Sequence, residues 1–132
     1  MRVWHLLTFA LITTTALADP RVEVFTDRAH PIIHAEAFAQ VRVVRIDGLV
    51  LAQEYLSEGL PMDENAAAKR VHARLAARPD LKDQMMAAGE GLAMAHLQYQ
   101  LDRYPAIVFD GTAVIYGVTD LAVAKRLYEQ RQ

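Results

Sequence analysis

The chain of 132 residues contains no cysteine. That absence excludes disulfides, thiol–disulfide exchange, cysteine nucleophiles and thiolate metal ligands. Serine is almost absent too. Ser57 is the only one and lies in no Gly-x-Ser-x-Gly setting, so a serine-hydrolase elbow is excluded. No glycine-rich phosphate loop follows a strand, because Gly89 and Gly91 fall inside a helical pattern. No basic block is present, and the formal net charge is −2. A nucleic-acid partner is not expected without a basic face. After residue 18 no apolar run is long enough to span a bilayer.

What is present begins with a leader. Arg2 supplies a positive start, Leu6 to Ile12 an apolar run broken only by Thr8, and Ala16-Leu17-Ala18 a small-x-small cleavage pattern. We expect cleavage after Ala18 and an exported mature protein, residues 19–132, forming one domain. Its make-up, 53% apolar and 23% charged, is that of an ordinary globular chain.

The densest signal lies between Tyr104 and Gly117. Ala106 to Phe109 is an unbroken apolar run that suits a strand covered on both faces. Asp110-Gly111 predicts a two-residue type I′ hairpin, and Val114 to Tyr116 the return strand. Pro105 stands just before the first strand, where a missing N–H does least harm. Tyr104-Pro105 is also a candidate cis bond.

The rest of the chain alternates. Arg21 to Thr26 predicts a strand with Val22 and Val24 on one face and Phe25 on the other. Asp27 to Pro31 is a loop, with Pro31 opening a helix to about Ala39. Val41 to Gly48 predicts a second strand, apolar on both faces and therefore inner, joined to the first by a parallel crossover. Helices follow over Leu49–Glu58 and, capped by Asp63, to Arg78. A longer one opens at Pro79 and runs to about Arg103. Its stripe is Leu81, Met85, Ala88, Leu92, Ala95 and Tyr99, with Gly89 and Gly91 marking close packing or a bend. A last helix, capped by Thr119 and with Asp120 at its positive end, presents Ala124, Leu127 and Tyr128 inward. The predicted class is α/β, a mixed four-stranded sheet with helices on both faces in a three-layer sandwich.

This order resembles the thioredoxin fold. Pro105 stands in the place of that fold's cis-proline, and Thr26 to Pro31 in the place of its redox loop. Asp27-Arg28-Ala29-His30 replaces Cys-x-x-Cys, so the resemblance implies the fold without the oxidoreductase activity. It also implies that the backbone of Arg103-Tyr104 can pair with an extended peptide. Thr26 to Pro31 would then form the opposite wall, and Tyr104 would stack on the ligand.

A second resemblance rests on Val22-Glu23-Val24-Phe25-Thr26-Asp27, His30-Pro31, Tyr104 to Gly111 and Val114 to Asp120. These segments are similar to a family of small exported proteins encoded in integrating conjugative elements. That implies a periplasmic accessory of a conjugative type IV secretion apparatus, with no catalytic residues to carry over.

The expected function is therefore non-enzymatic, without cofactor or resident metal, and exercised on other periplasmic proteins. The expected contact residues are Asp27, Arg28, His30, Pro31, Arg103, Tyr104 and Pro105. Two alternatives come from the same residues. If Pro31 opens a helix, His30 and His34 share a face with Asp27 nearby, a start toward zinc binding or hydrolysis. The other is a general periplasmic peptide-binding chaperone unrelated to conjugation.

Overall fold

The computed structural model describes residues 18–132, so all but the last residue of the leader read over residues 1–18 lies outside the described residues. Four strands and four α-helices make up a mixed α/β architecture. The strands are β1 (Val22–Thr26), β2 (Val41–Arg45), β3 (Ala106–Phe109) and β4 (Ala113–Tyr116). The helices are α1 (Gly48–Ser57), α2 (Glu64–Ala77), α3 (Leu81–Ala93) and α4 (Leu121–Glu129).

The sheet order is β2-β1-β3-β4. β1 runs parallel to β2 and antiparallel to β3, and β3 is antiparallel to β4. Strand alternation divides the core in two. Val22, Val24, Ile107, Phe109 and Ile115 point to one face, where Phe38, Leu121 and Ala124 cover them. Phe25, Val44, Ala106 and Val108 point to the other, under Ala95 and Leu101. β1 and β3 are buried along their whole length; the unbroken apolar run of Ala106–Phe109 predicts this for β3, whereas β1 buries Glu23 and Thr26 as well.

Several local expectations change. β2 is an edge strand, not an inner one, and only Val44 in it is buried. Its apolar residues face α3 on one side and a half-open surface on the other, with Val43 47% exposed. The helix expected from Pro31 does not form. Ile33 instead makes a parallel bridge with Asp120, donating to Thr119 C=O at 3.0 Å and accepting from Leu121 N–H at 3.0 Å. Only a 3-10 turn follows, Ala35–Ala37, after His34 in the left-handed region (φ 56°). Pairing with α4's entry takes the backbone groups that a helix would have used.

α3 continues as a π-helical turn, Met94–Gln98, and stops five residues before Arg103. The expected stripe still faces inward, with Leu81, Ala88 and Ala95 buried. The hairpin loop has three residues, Asp110–Thr112, because Phe109 pairs with Ala113. Asp110 and Gly111 nevertheless take the positive φ expected of them, 50° and 73°, and Thr112 N–H closes the turn on Phe109 C=O. Asp120, not Thr119, caps α4, its carboxylate accepting from Ala122 and Val123 N–H at 2.9 and 3.3 Å. Asp63 caps α2 as expected, accepting from Ala66 N–H at 2.8 Å.

Candidate functional site

The residues singled out in the sequence meet at one end of the sheet. Phe25 pairs with Ala106, so the chain leaving β1 and the chain entering β3 pass side by side there. The first carries Asp27, Arg28, His30 and Pro31; the second carries Arg103, Tyr104 and Pro105. The Tyr104-Pro105 bond is cis.

The loop after β1 is tied down by its own polar groups. Thr26 Oγ1 donates to His30 C=O at 2.6 Å. Asp27 Oδ1 accepts from His30 N–H at 3.0 Å and lies 2.7 Å from His30 Nδ1. These bonds to His30 hold the Asp27 carboxyl below its usual range. Arg28 N–H donates to Asp47 Oδ2 at 2.8 Å, and Arg45 grips the same carboxylate from the end of β2. Burial works against the charge on Asp47, but the Arg45 and Arg28 bonds outweigh it and lower its pKa.

Side chains at this end divide into presented and withdrawn. Arg28, His30 and Pro31 are exposed, and Arg103 is 69% exposed with its guanidinium 5.2 Å over the Tyr116 ring. Arg103 also holds Asp102 bidentately at 3.1 Å and lowers its pKa. Pro105 is buried. Tyr104 is half-buried, its ring packed against the Phe25 cluster and edge-on to His96. Its hydroxyl is enclosed without a hydrogen-bond partner, and burial raises its pKa. The outward side chains at this end are therefore Arg28, His30, Pro31 and Arg103, with Arg28 anchored toward β2 and Arg103 over Tyr116 of β4, while Tyr104 and Pro105 are withdrawn.

His30 and His34 do not share a helical face. His30 belongs to Asp27, whereas His34 Nδ1 lies 2.9 Å from Asp120 Oδ1 at the start of α4. Among the described residues no group of three or more His, Asp or Glu converges as a metal site. His72 and His96 lie on the helices and add nothing to either pair.

Two features were not anticipated. Glu23, 5% exposed on the central strand β1, accepts a hydrogen bond from Tyr99 Oη and faces Arg42 at 3.5 Å and Arg21 at 3.8 Å. Its pattern signal was a carboxylate inside a run with valine on either side. The second is a groove of about 460 Å³ between β2, α1 and α3, lined in part by Arg42, Arg45 and Arg78. Arg42 and Arg45, three apart in Val41-Arg42-Val43-Val44-Arg45, are the trace it leaves in the sequence.

A family described as proteins of unknown function (DUF1525) matches residues 19–132, and the chain belongs to it. No curated protein and no solved structure matches the chain significantly.

Proposed function

We propose that this member of the DUF1525 family is a non-enzymatic exported accessory protein of thioredoxin-like architecture. It works by touching other proteins of a conjugative type IV secretion apparatus. The observation that carries the reading is the meeting of the Asp27–Pro31 loop with Arg103–Pro105 at one end of the sheet. In a chain without cysteine, that end has no thiol chemistry to perform. It offers a contour fixed by internal hydrogen bonds, with Arg28, His30 and Arg103 outward. A preformed surface of this kind avoids the ordering cost of a flexible one. The leader-like residues 1–18 support export, and the similarity of the quoted segments to exported proteins of integrating conjugative elements supports the setting.

The test is affinity purification of the tagged protein from cells carrying the whole conjugative element, with mass spectrometry of what comes along. Wild type and the double variant Arg28→Glu/Arg103→Glu are compared. Loss of about 1.4 kcal/mol of contact energy lowers recovery of the partner roughly tenfold. We expect that loss together with a lower conjugation frequency. Unchanged recovery and unchanged frequency would rule this surface out, and turnover of a small molecule by the purified protein would rule out the non-enzymatic reading.

A further inference from the structure

The sheet has two edges, and that of β2 opens onto the arginine-lined groove. The ladder with β1 fixes which backbone groups are free. Ile46 N–H donates to Thr26 C=O at 2.9 Å. By the two-residue alternation of a parallel pair, Val44 and Arg42 also turn their N–H and C=O toward β1. Val43 and Arg45 therefore turn theirs outward. Outside the ladder, no backbone hydrogen bond engages either residue among the described ones.

The groove runs along this free edge. Four consecutive strand residues, 42–45, line it, which side chains of a single sheet face cannot do. Its floor is apolar, with Leu51 and Leu81 among the lining residues, and Tyr55 stands in the wall. Its volume of about 460 Å³ is that of a ligand cleft. Its charge has one sign: Arg42, Arg45 and Arg78 line it, and no carboxylate does. Each guanidinium holds one carboxylate outside the groove, Glu23, Asp47 or Asp80, at 3.1 to 3.5 Å. An arginine fork has five N–H donors, so each keeps others for a second acceptor. Exposed β-edges are commonly shielded by a covering element or inward-pointing charge. Here the flanking helices leave a channel, and the charges sit where an added strand's side chains would pass.

We propose that the open edge of β2 and its arginine-lined groove dock an extended acidic segment of another protein as a fifth strand. Main-chain bonds to Val43 and Arg45 supply affinity, and the three arginines select acidic side chains. This surface is separate from the Arg28/Arg103 end, and the proposal stands whether or not that end is the working one.

The test uses the purified protein, residues 19–132, and three labelled hexapeptides followed by fluorescence anisotropy. They are alternating Glu-Val, alternating Lys-Val, and the Glu-Val sequence N-methylated at every residue, which blocks both edges of the peptide. We expect the acidic peptide to bind, the basic one to bind at least tenfold more weakly, and N-methylation to remove at least tenfold of the affinity. Val43→Pro should do the same from the protein side, because it deletes an outward N–H and leaves the β1 ladder intact. Circular dichroism checks its fold; if it unfolds, the N-methylated peptide decides. No binding of the acidic peptide, equal binding of the basic one, or indifference to N-methylation overturns the proposal. So does a dimer in sedimentation that Val43→Pro dissolves, since the edge would then belong to a second copy.

Discussion

Two glycines one turn-fraction apart in α3 should respond to the same substitution with opposite sign. A Cβ on Gly91 would lie 2.1 Å from Val44 Cγ1, on β2 beneath the helix. Carbon atoms in contact prefer about 3.5–4.0 Å, so the methyl would intrude by more than ~1 Å. Val44 is 5% exposed and stands on the sheet, so relief requires α3 to lift or Val44 to leave its rotamer. An overlap this deep with a rigid valine methyl falls in the upper part of the overpacking range, about 2–3 kcal/mol, against an intrinsic gain of about 1 kcal/mol for alanine over glycine in a helix. The clash wins, and Gly91→Ala should destabilise by about 1–2 kcal/mol. A Cβ on Gly89 meets nothing within 4 Å, so Gly89→Ala keeps only the propensity gain and should stabilise by about 0.5–1 kcal/mol. Urea denaturation followed by circular dichroism measures both. Adding Val44→Ala should make Gly91→Ala less costly, with a coupling of about 1 kcal/mol in the double-mutant cycle. If Gly91→Ala proves as stable as wild type, α3 does not press on β2 as described, and the packing that frames the groove is wrong.

Further predictions follow from the polar contacts. Tyr99→Phe removes the hydroxyl that donates to buried Glu23 and should cost about 1–3 kcal/mol in the same denaturation assay; a loss below ~0.5 kcal/mol would mean that water serves the carboxylate instead. Burial, then the Glu23 bond, raises the Tyr99 pKa above 10.0, so wild-type stability should fall as pH rises past that value, and Tyr99→Phe should flatten the fall. The His34–Asp120 pair is pH-dependent in both directions. The bond to Asp120 raises His34 above 6.5, so that contribution is complete below 6.5 and is lost as pH rises through the folded value. Asp120 is lowered from 3.8, chiefly by His34, so its share is present above 3.8 and is lost as pH falls. His34→Gln should therefore cost more stability at pH 5 than at pH 8.5, and an equal cost at both would dismiss the pairing. Arg74 donates to the C=O of Leu56 and of Glu58 at the end of α1, and α2 has no buried residue of its own. Arg74→Ala should release α2 at a cost of about 1.5 kcal/mol, seen as faster amide exchange confined to residues 64–77.

The strands were legible because burial wrote itself into their composition. Ala106-Ile107-Val108-Phe109 has no polar residue, and every position is covered. The alternation of Val22, Val24 and Phe25 likewise assigned them to opposite faces, where the two core clusters hold them. The caps were legible only to within a residue. Thr119 and Asp120 are both good caps, and the bridge between Ile33 and Asp120 settles which one opens α4. That contact spans most of the chain, so no local pattern records it. The helix expected from Pro31 failed for the same reason, and with it the shared histidine face. The edge position of β2 was misread because Val41, Val43 and Val44 look like an inner strand's residues. Arg42 and Arg45 were the better guide, since charged side chains on a strand are rarely buried and so argue against an inner position. The groove required α1 and α3 to be in place and has no sequence motif.

The loop after β1 is held in one shape by its own polar groups. A loop that carries out chemistry must keep a reactive group exposed and unspent. Here its polar groups are spent on one another: Thr26 on His30, Asp27 on His30, and the Arg28 N–H on an Asp47 that Arg45 also holds. Each bond lowers the freedom of the loop and leaves fewer groups to bind and transform a substrate. The side chains left outward, Arg28 and Arg103 above all, are long, charged and suited to the rim of a protein contact. Such a loop costs little entropy to dock, because its shape is set before the partner arrives. The same economy governs the β2 edge, where the strand is already extended and only the incoming segment must be ordered. If both proposals hold, the protein carries two preformed surfaces, one at the sheet's end and one along its side, and each takes its own partner. That arrangement predicts that Arg28→Glu/Arg103→Glu and Val43→Pro remove different partners from the same purification.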